Sequence, residues 1–221
     1  MPSRHEEKYL IDYRQYLMLK SRAMQVLTPD EHGTLGSYVI TSLYYDDPMD
    51  HALDEKQDGL PEHSKFRVRT YDYSDSYIKL ERKDKTGILT HKLDARISRP
   101  QIQQLGLADG EGFSREAEEL VVQMRAAGLR PAVIVRYRRD AFCHAGSDFR
   151  LTFDTELEAA VPDEAALFDP DIKGQPVLDG NTVIMEIKYG DRIPSFARKL
   201  TNVNCKQLSV SKYALCREIY I

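Results

Sequence analysis

The sequence contains few of the features that mark several common protein classes. Its three cysteines, Cys143, Cys205 and Cys216, stand far apart and form no CxxC pair, which argues against a disulfide framework and against a zinc knuckle. We therefore expect the reducing environment of the cytoplasm. No apolar run approaches the roughly 20 residues that a helix needs to cross a bilayer, so we expect any association with a membrane to require a partner protein.

Familiar nucleotide-binding and hydrolase motifs are also absent. There is no GxxxxGK[ST] loop, no GxSxG nucleophile turn and no HxxxH pair among the six histidines. Gly110 and Gly112 flank a glutamate in an acidic loop and lack the third glycine of a dinucleotide-binding turn. If the protein binds phosphate, Lys and Arg side chains must therefore do so, rather than backbone amides at the start of a helix.

Length and charge narrow the class further. The chain has 221 residues, 42% of them hydrophobic, which is enough to bury a substantial core. Neither a repeat nor a long linker divides it, so we expect one domain over residues 1–221. Its 35 Asp and Glu exceed its 31 Lys and Arg, and the formal charge is −4. A protein that binds nucleic acid without selectivity is normally basic as a whole, so this class is disfavoured.

What the sequence does contain is charged residues, mostly basic, at alternate positions of strand-like segments. Alternate side chains of a strand lie on the same face, so each segment would present one charged face. Such a face can point to water, or several of them can line one cavity that binds a polyanion, and the residues alone leave both readings open. The segments are 4–8, 65–69, 79–83, 150–154 and 185–188.

The pattern of the whole chain predicts an α+β fold with about eight strands and about five helices. Turn residues at 72–75 and 84–87 predict antiparallel hairpins, and an eight-stranded antiparallel sheet can close into a barrel that holds a small ligand. The predicted strands are 4–12, 37–45, 64–72, 76–85, 88–97, 132–143, 149–157 and 182–189. The predicted helices are 14–26, 99–105, 114–127, 194–200 and 209–220, the last capped by Ser209, with a short helical segment from Pro48 to about Gln57.

Eight motifs stand in order along nearly the whole chain: RHEEKY at 4–9, LYYD at 43–46, FRVR at 66–69, LERK at 80–83, RYRRDAF at 136–142, DTEL at 154–157, MEIK at 185–188 and SKY at 211–213. Together they resemble the VTC domain, the polyphosphate polymerase domain of the vacuolar transporter chaperone complex. That domain is a member of the triphosphate tunnel metalloenzyme superfamily, whose fold is also called CYTH-like. The ordered match makes the resemblance more specific than any single motif.

The resemblance implies an eight-stranded antiparallel β-barrel, the triphosphate tunnel, with helices outside it and the C-terminal helix at its mouth. It implies metal-dependent transfer of the terminal phosphate of ATP to a growing polyphosphate chain, with Mn²⁺ or Mg²⁺ as cofactor. The implied phosphate-binding residues are Lys8, Arg67, Arg69, Lys83, Lys92, Arg139, Arg150 and Lys188. The implied catalytic residues are Lys212, Lys83 and Arg139, and the implied metal ligands are Glu186, which leads, Glu81 and Asp154.

Some positions depart from the pattern or stay outside this set. Hydrolytic members of the superfamily carry ExExK on the first strand, and Arg4 stands where the first glutamate would be, which by the resemblance favours transfer to phosphate over transfer to water. Arg136 and Arg139 differ in strand parity, so without a bulge only one of them can face a tunnel. Lys65 and Arg82 are left out, because a lone strand cation more often lies on a solvated face.

Three functions from different classes stay open at this stage. The first is the polymerase, which we predict. The second is a hydrolase of tripolyphosphate, nucleoside triphosphates or RNA 5′ ends, and the third is a module that binds polyphosphate without catalysis. The expected ligands are ATP or another triphosphate and inorganic polyphosphate, with no nucleic acid unless an RNA 5′ end is the substrate. A separate membrane protein would have to supply any coupling to export.

Overall fold

The computed structural model describes residues 5–33, 36–87, 89–107, 112–203 and 205–220. Its strands are β1 (His5–Asp12), β2 (Thr28–Pro29), β3 (Ser37–Asp46), β4 (Glu62–Tyr71), β5 (Ser74–Thr86), β6 (Leu89–Ile97), β7 (Arg130–Cys143), β8 (Arg150–Ala160), β9 (Gln175–Pro176), β10 (Thr182–Tyr189) and β11 (Lys206–Gln207). Its helices are α1 (Tyr13–Val26), α2 (His51–Gln57), α3 (Arg99–Ile102), α4 (Arg115–Ala126), α5 (Ser195–Leu200) and α6 (Lys212–Arg217), with a 3-10 turn at Ala165–Leu167. Arg4 lies outside the described residues.

The strands hydrogen-bond in the order β11-β1-β10-β8-β7-β3-β4-β5-β6, with β2 beside β7 and β9 beside β8. The registered pairs are antiparallel, which confirms the antiparallel α+β class predicted from the sequence. In the part of the chain that the structure describes, this path ends at β11 and at β6. Closure into a barrel therefore stays a prediction.

The chain forms two compact units, each assembled from three separate segments. Unit 1 consists of Met1–Val39, Tyr137–Leu157 and Leu178–Val210, and unit 2 consists of Ile40–Arg136, Glu158–Val177 and Ser211–Ile221. Strands β3, β7 and β8 contribute residues to both. The single domain over residues 1–221 stays a prediction.

The core of unit 1 lies on one face of β1, β10 and β8. Phe153 pairs with Met185, which pairs with Tyr9, so these side chains point to the same side of the sheet. Leu19 of α1 and Ala197 of α5 pack in the same apolar cluster. The two helices therefore cover the apolar face of unit 1.

The core of unit 2 is built in the same way. Leu43, Val68, Leu80 and Ala95 stand opposite one another across β3, β4, β5 and β6 and are all buried. They belong to an apolar cluster that includes Ala117, Leu120, Val121 and Met124 of α4. In both units the alternation seen in the sequence thus places one set of side chains in a core and the other set on the opposite face.

Most element positions agree with the sequence prediction to within a few residues. The first hairpin turn is Asp72-Tyr73, and both residues have positive φ angles, 47° and 59°, as the tight turns of hairpins require. The predicted cap Ser209 is wrong: the N-cap of α6 is Ser211, whose hydroxyl accepts the N–H of Ala214. The two-residue strands β2, β9 and β11 were not predicted. No helix in the described ranges is both long and apolar enough to cross a bilayer.

Candidate phosphate-binding sites

Unit 2 carries rows of charged side chains on the face of β4, β5 and β6 opposite its core. The cross-strand register sets them in three rows: Arg69, Lys79 and Arg96; Arg67, Glu81 and Asp94; and Lys65, Lys83 and Lys92. We call these nine residues the basic face. They comprise seven Lys and Arg and two acidic residues, an excess of five positive charges in a chain whose formal charge is −4. Like charges placed directly opposite on a sheet repel, so this face favours a bound anion.

Glu81 lies at the centre of the basic face and is only 1% exposed. Its carboxylate accepts a hydrogen bond from Arg67 Nε at 2.5 Å, lies 3.6 Å from Arg69 Nη1 and also pairs with Lys92. Burial opposes the ionised form, but the three cations outweigh it and hold the pKa of Glu81 far below its ordinary range. Glu81 therefore keeps part of the cationic face together in the absence of another anion.

Lys65, which sequence reasoning left out, begins the lysine row of the basic face. It stands opposite Lys83, which stands opposite Lys92. The Lys65 ammonium donates to Ser211 Oγ at 3.0 Å, and Ser211 directly precedes Lys212, the first residue of α6. Lys212, the predicted catalytic lysine, thus directly follows Ser211, which contacts the lysine row of the basic face.

An aromatic pair fixes α6 to β3. The Tyr213 ring stacks on the Tyr44 ring with 5.0 Å between centroids, and the Tyr213 hydroxyl donates to the buried carboxylate of Asp46. The Tyr44 hydroxyl accepts a hydrogen bond from Arg67 Nη1 at 2.8 Å. Burial and the Asp46 carboxylate raise the pKa of Tyr213, so this phenol stays protonated and continues to donate.

Unit 1 has a charged face of its own, opposite its core, in which cations and acids alternate. Lys8 stands opposite Glu186, and Glu6 stands opposite Lys188. The Lys8 ammonium lies 3.0 Å from Glu6 and 3.9 Å from Glu186, while that of Lys188 lies 3.4 Å and 2.8 Å from the same two carboxylates. The result is a square of two lysines and two glutamates.

Arg139 and Asp154 form the most buried ion pair of unit 1. Arg139 Nε and Nη2 donate to the two Asp154 oxygens at 2.7 and 2.8 Å, and Asp154 is 1% exposed. Burial works against the guanidinium charge, yet the Asp154 carboxylate prevails and the pKa of Arg139 is raised further. Such a two-point pair is rigid and strongly charge-assisted.

Arg136 and Arg139 make different contacts, each within its own unit. Arg136, in unit 2, donates from its guanidinium to the carbonyls of Ala166, Asp169 and Ile172. It thereby fixes the acidic loop that contains the 3-10 turn. Arg139, in unit 1, instead pairs with a carboxylate of the charged face.

The last cation of the charged face of unit 1 is Arg150, which stands opposite Lys188. Its Nη2 atom lies 2.5 Å from Asp30 and 3.1 Å from the hydroxyl of Tyr38. The face therefore holds four cations and three acids, a much smaller positive excess than on unit 2. Its members are Glu6, Lys8, Arg139, Arg150, Thr152, Asp154, Glu186 and Lys188.

The predicted metal ligands differ in how well they fit an ion. In the described ranges, no three His, Cys, Asp or Glu side chains are grouped so as to bind a metal. Glu81 and Asp154 are engaged by arginines, and Glu186 by Lys8 and Lys188. Glu186 stands opposite Thr152, whose buried hydroxyl has no hydrogen-bond partner among the described residues. Mg²⁺ is commonly held by one or two carboxylates and by substrate phosphates, so Glu186 with Thr152 fits such an ion better than the other two.

The family model of the VTC domain matches residues 3–221. The chain belongs to the VTC domain family. The resemblance indicated by the ordered motifs is thereby confirmed over nearly the whole sequence. A search of curated proteins finds no match.

Solved structures support the fold expected of a VTC domain. The PH1819 protein from Pyrococcus horikoshii OT3 is 12% identical, with 97% of this chain and 96% of that chain covered and a TM-score of 0.51. A putative adenylate cyclase from Bacillus halodurans is 12% identical, with 95% of each chain covered and a TM-score of 0.55. A chain of the Schizosaccharomyces pombe Mediator head module is 8% identical, with 93% and 97% covered and a TM-score of 0.52. At such identities the likeness concerns the fold alone.

The positions selected by the VTC resemblance divide between the two units of the structure. Those in unit 2 are Arg67, Arg69, Glu81, Lys83 and Lys92 on the basic face and Lys212 on α6, and those in unit 1 are Lys8, Arg139, Arg150, Asp154, Glu186 and Lys188. Their roles stay predictions. Lys8 and Arg67 are half-buried and Arg69 is buried, so these cations do not lie on a fully wet surface.

Three cations of the basic face were missed by the sequence reading of this VTC domain: Lys65, Lys79 and Arg96. Lys65 and Lys79 share the strand parity of a selected neighbour two residues away, Arg67 and Glu81, and Arg96 shares that of Lys92, four residues away. That parity was the available signal. What a single strand does not reveal is that Lys65 stands opposite Lys83, and that Lys79 stands opposite both Arg69 and Arg96.

Proposed function

We propose that this protein is a polyphosphate polymerase, a phosphotransferase that moves the terminal phosphate of ATP onto a growing chain of inorganic polyphosphate. Membership of the VTC family makes phosphoryl chemistry the leading class. The observation that carries the proposal is the basic face of unit 2, with seven cations against two acids. Transfer of a phosphoryl group requires mainly positioning and stabilisation of negative charge, and fixed cations provide both.

The spacing of the basic face suits a chain of phosphates better than a single one. Successive rows lie two residues apart along each strand, which corresponds to about 6.6 Å, and neighbouring strands lie about 4.8 Å apart. The cations therefore form a two-dimensional grid. A linear polyanion can contact several of them at once, and in this proposal Arg67 and Arg69 bind through two-point contacts while the lysines act as point charges.

Transfer to phosphate is favoured over transfer to water by the state of the acids. A hydrolase needs a carboxylate that can accept a proton from water. On unit 1 the carboxylates of Glu6, Glu186 and Asp154 each contact a lysine or an arginine, so in this proposal they hold cations in place and do not activate water. Arg4 further replaces the first carboxylate of the hydrolytic ExExK pattern. Lys212 would contact the reacting phosphate from the start of α6, as the family resemblance implies.

In this proposal Mn²⁺ or Mg²⁺ is held by Glu186, with the Thr152 hydroxyl beside it, and would supply charge neutralisation on the phosphate oxygens. Lys8 and Lys188 already contact Glu186. When a metal ion binds to Glu186, the two lysines would contact phosphate oxygens instead of the Glu186 carboxylate.

Incubation with ATP and Mn²⁺, followed by a gel stained for polyphosphate, tests the proposal. Long chains are expected. Release of free phosphate alone would identify a hydrolase, and unchanged ATP together with measurable affinity for polyphosphate would identify a binding module. Either of these results would refute the polymerase assignment.

A double substitution tests the basic face itself. Arg67→Ala with Arg69→Ala should abolish tripolyphosphate binding, since it removes both guanidinium groups that β4 contributes to the basic face. The matched control is Arg138→Ala with Arg115→Ala, which removes two exposed arginines outside the face. Calorimetric titration of tripolyphosphate into each of the two proteins measures and compares their affinities. Equal affinities would show that the phosphates bind elsewhere.

A single substitution tests the metal ligand. Glu186→Gln keeps the shape of the side chain and removes its charge, so it should reduce metal-dependent turnover more than anion binding. Turnover is measured over a range of Mn²⁺ concentrations. Unchanged turnover at every concentration would mean that another group holds the ion.

A further inference from the structure

Helix α1 exposes an unusual number of large apolar side chains. Thirteen such side chains are exposed in the described chain, and five belong to this 14-residue helix: Tyr13, Leu17, Met18, Met24 and Val26. At about 100° per residue, Tyr13, Leu17 and Met24 fall within about 40° of one another on the helix surface. Leu17 is 50% and Met24 57% exposed. They form an apolar stripe beside the buried side of the helix, which consists of Tyr16, Leu19 and Ala23.

The charged residues within α1 and α5 are all basic. Helix α5 packs against α1 in the core of unit 1, and these two helices together contain Arg14, Lys20, Arg22, Arg198 and Lys199 but neither Asp nor Glu. Helices α2 and α4 of unit 2, by contrast, contain both acidic and basic residues. The whole chain, by contrast, contains more acidic than basic residues. Lys20 is paired with Asp140 and Asp12 caps the start of α1, but the other four cations of the two helices are exposed. An apolar stripe beside such cations complements a negatively charged apolar boundary.

We infer that the outer surface of α1 and α5 binds the surface of an anionic lipid bilayer. Helices that lie in the plane of a membrane interface combine an apolar strip, which enters the headgroup region, with Lys and Arg, which contact anionic lipids. Tyr13, Leu17 and Met24 would enter the lipid, and the exposed cations Arg14 of α1 and Arg198 and Lys199 of α5 would contact the headgroups. This surface covers the apolar side of unit 1, opposite the charged face, and the inference does not depend on the proposed enzymatic activity.

Vesicle sedimentation tests the inference with the whole chain. We expect the protein to pellet with vesicles of phosphatidylcholine and phosphatidylserine and to stay in the supernatant with phosphatidylcholine alone. Leu17→Glu with Met24→Glu should weaken the binding about tenfold or more, because it removes two apolar contacts and adds two charges of the wrong sign. The matched control is Met49→Glu with Val122→Glu, which makes the same change at two exposed apolar side chains of unit 2.

A fluorescent reporter gives an answer that does not depend on how the glutamate variants fold. The sequence contains no tryptophan, so Leu17→Trp introduces a single indole at the stripe, and Val122→Trp introduces one on α4. Addition of anionic vesicles should shift the emission of the first protein to shorter wavelength and leave the second unchanged. Such a shift reports transfer of the indole from water into the lipid interface.

Four results would overturn the inference. The first is no binding of the wild-type protein to either vesicle. The second is equal binding by the two glutamate double variants. The third is loss of vesicle binding in the Arg67→Ala, Arg69→Ala protein, which would assign the lipid contact to the basic face. The fourth is a Leu17→Trp shift that occurs without vesicles as protein concentration rises, which would assign the stripe to contact between copies of the chain.

Discussion

The most specific prediction of the structure concerns Glu81, the acid enclosed by cations on the basic face. Glu81→Gln removes the charge but keeps the size of a side chain that is 1% exposed and contacts Arg67, Arg69 and Lys92. Removing one partner of a buried ion pair typically costs 3–5 kcal/mol. Because the amide can still accept one hydrogen bond, we expect a loss of about 3 kcal/mol in the free energy of unfolding. For a chain of this length, that corresponds to a fall of roughly 6–12 °C in Tm.

The same substitution should increase the stabilisation that an anion provides. A ligand present at about 100 times its Kd adds about 2.7 kcal/mol to the free energy of unfolding, and the variant presents six unbalanced positive charges where the wild-type protein presents five. We therefore expect saturating tripolyphosphate to raise the Tm of the Glu81→Gln protein by more than it raises that of the wild-type protein. Thermal denaturation followed by circular dichroism, at several tripolyphosphate concentrations, measures both effects.

The control is Glu156→Gln. The Glu156 side chain is 67% exposed and pairs with Arg138 at 3.4 Å. An exposed pair of this kind contributes about 0–1 kcal/mol, so the control should melt close to the wild-type protein and respond to tripolyphosphate as it does. Equal destabilisation by the two substitutions, or a Glu81→Gln protein that gains no more from the anion than the wild type, would refute the reasoning about the basic face.

Two further predictions concern stability. Tyr213→Phe deprives the buried Asp46 carboxylate of a hydrogen-bond donor and should cost about 1–3 kcal/mol, measured by urea denaturation; an unchanged midpoint would show that this bond does not fix α6. Against the opposing effect of burial, neighbouring cations hold the pKa values of Glu81 and Asp94 below their ordinary 4.5 and 3.8, so their stabilisation is complete above those values and is lost as pH falls toward the folded-state pKa. The free energy of unfolding should thus decline with acidification, and Glu81→Gln should flatten that decline; a curve identical to the wild type would contradict the assignment.

Several strands were predictable from the sequence because their charged and apolar residues alternate, and β3 because it is rich in β-branched and aromatic residues. Met185 and Ile187 lie in the core of unit 1, and Glu186 and Lys188 lie on the opposite face, as the parity of that segment predicted. The two-residue strands carry no such periodicity. A stretch as short as Lys206–Gln207 becomes a strand only because Tyr9 and Leu10 provide an edge to pair with.

The candidate sites were predictable residue by residue but not as arrangements. Lys65 looked like a lone strand cation, and only the register of β4 with β5 and of β5 with β6 shows that it begins a row. Likewise, the hydrogen bond from Tyr213 to Asp46 joins residues 167 positions apart, and no local pattern indicates it. Register and long-range contact depend on the whole fold, so they were the parts that the sequence left open.

The most direct test of the central claim is a calorimetric titration of tripolyphosphate into the wild-type protein and into a protein with Lys65, Lys83 and Lys92 all changed to Met. Each lysine would give a charge-assisted contact worth about 1.5–3 kcal/mol. We therefore expect measurable binding that weakens with added salt and a loss of more than about 100-fold in the triple variant. An affinity that is the same in both proteins would contradict the claim that the rows of the basic face bind phosphate.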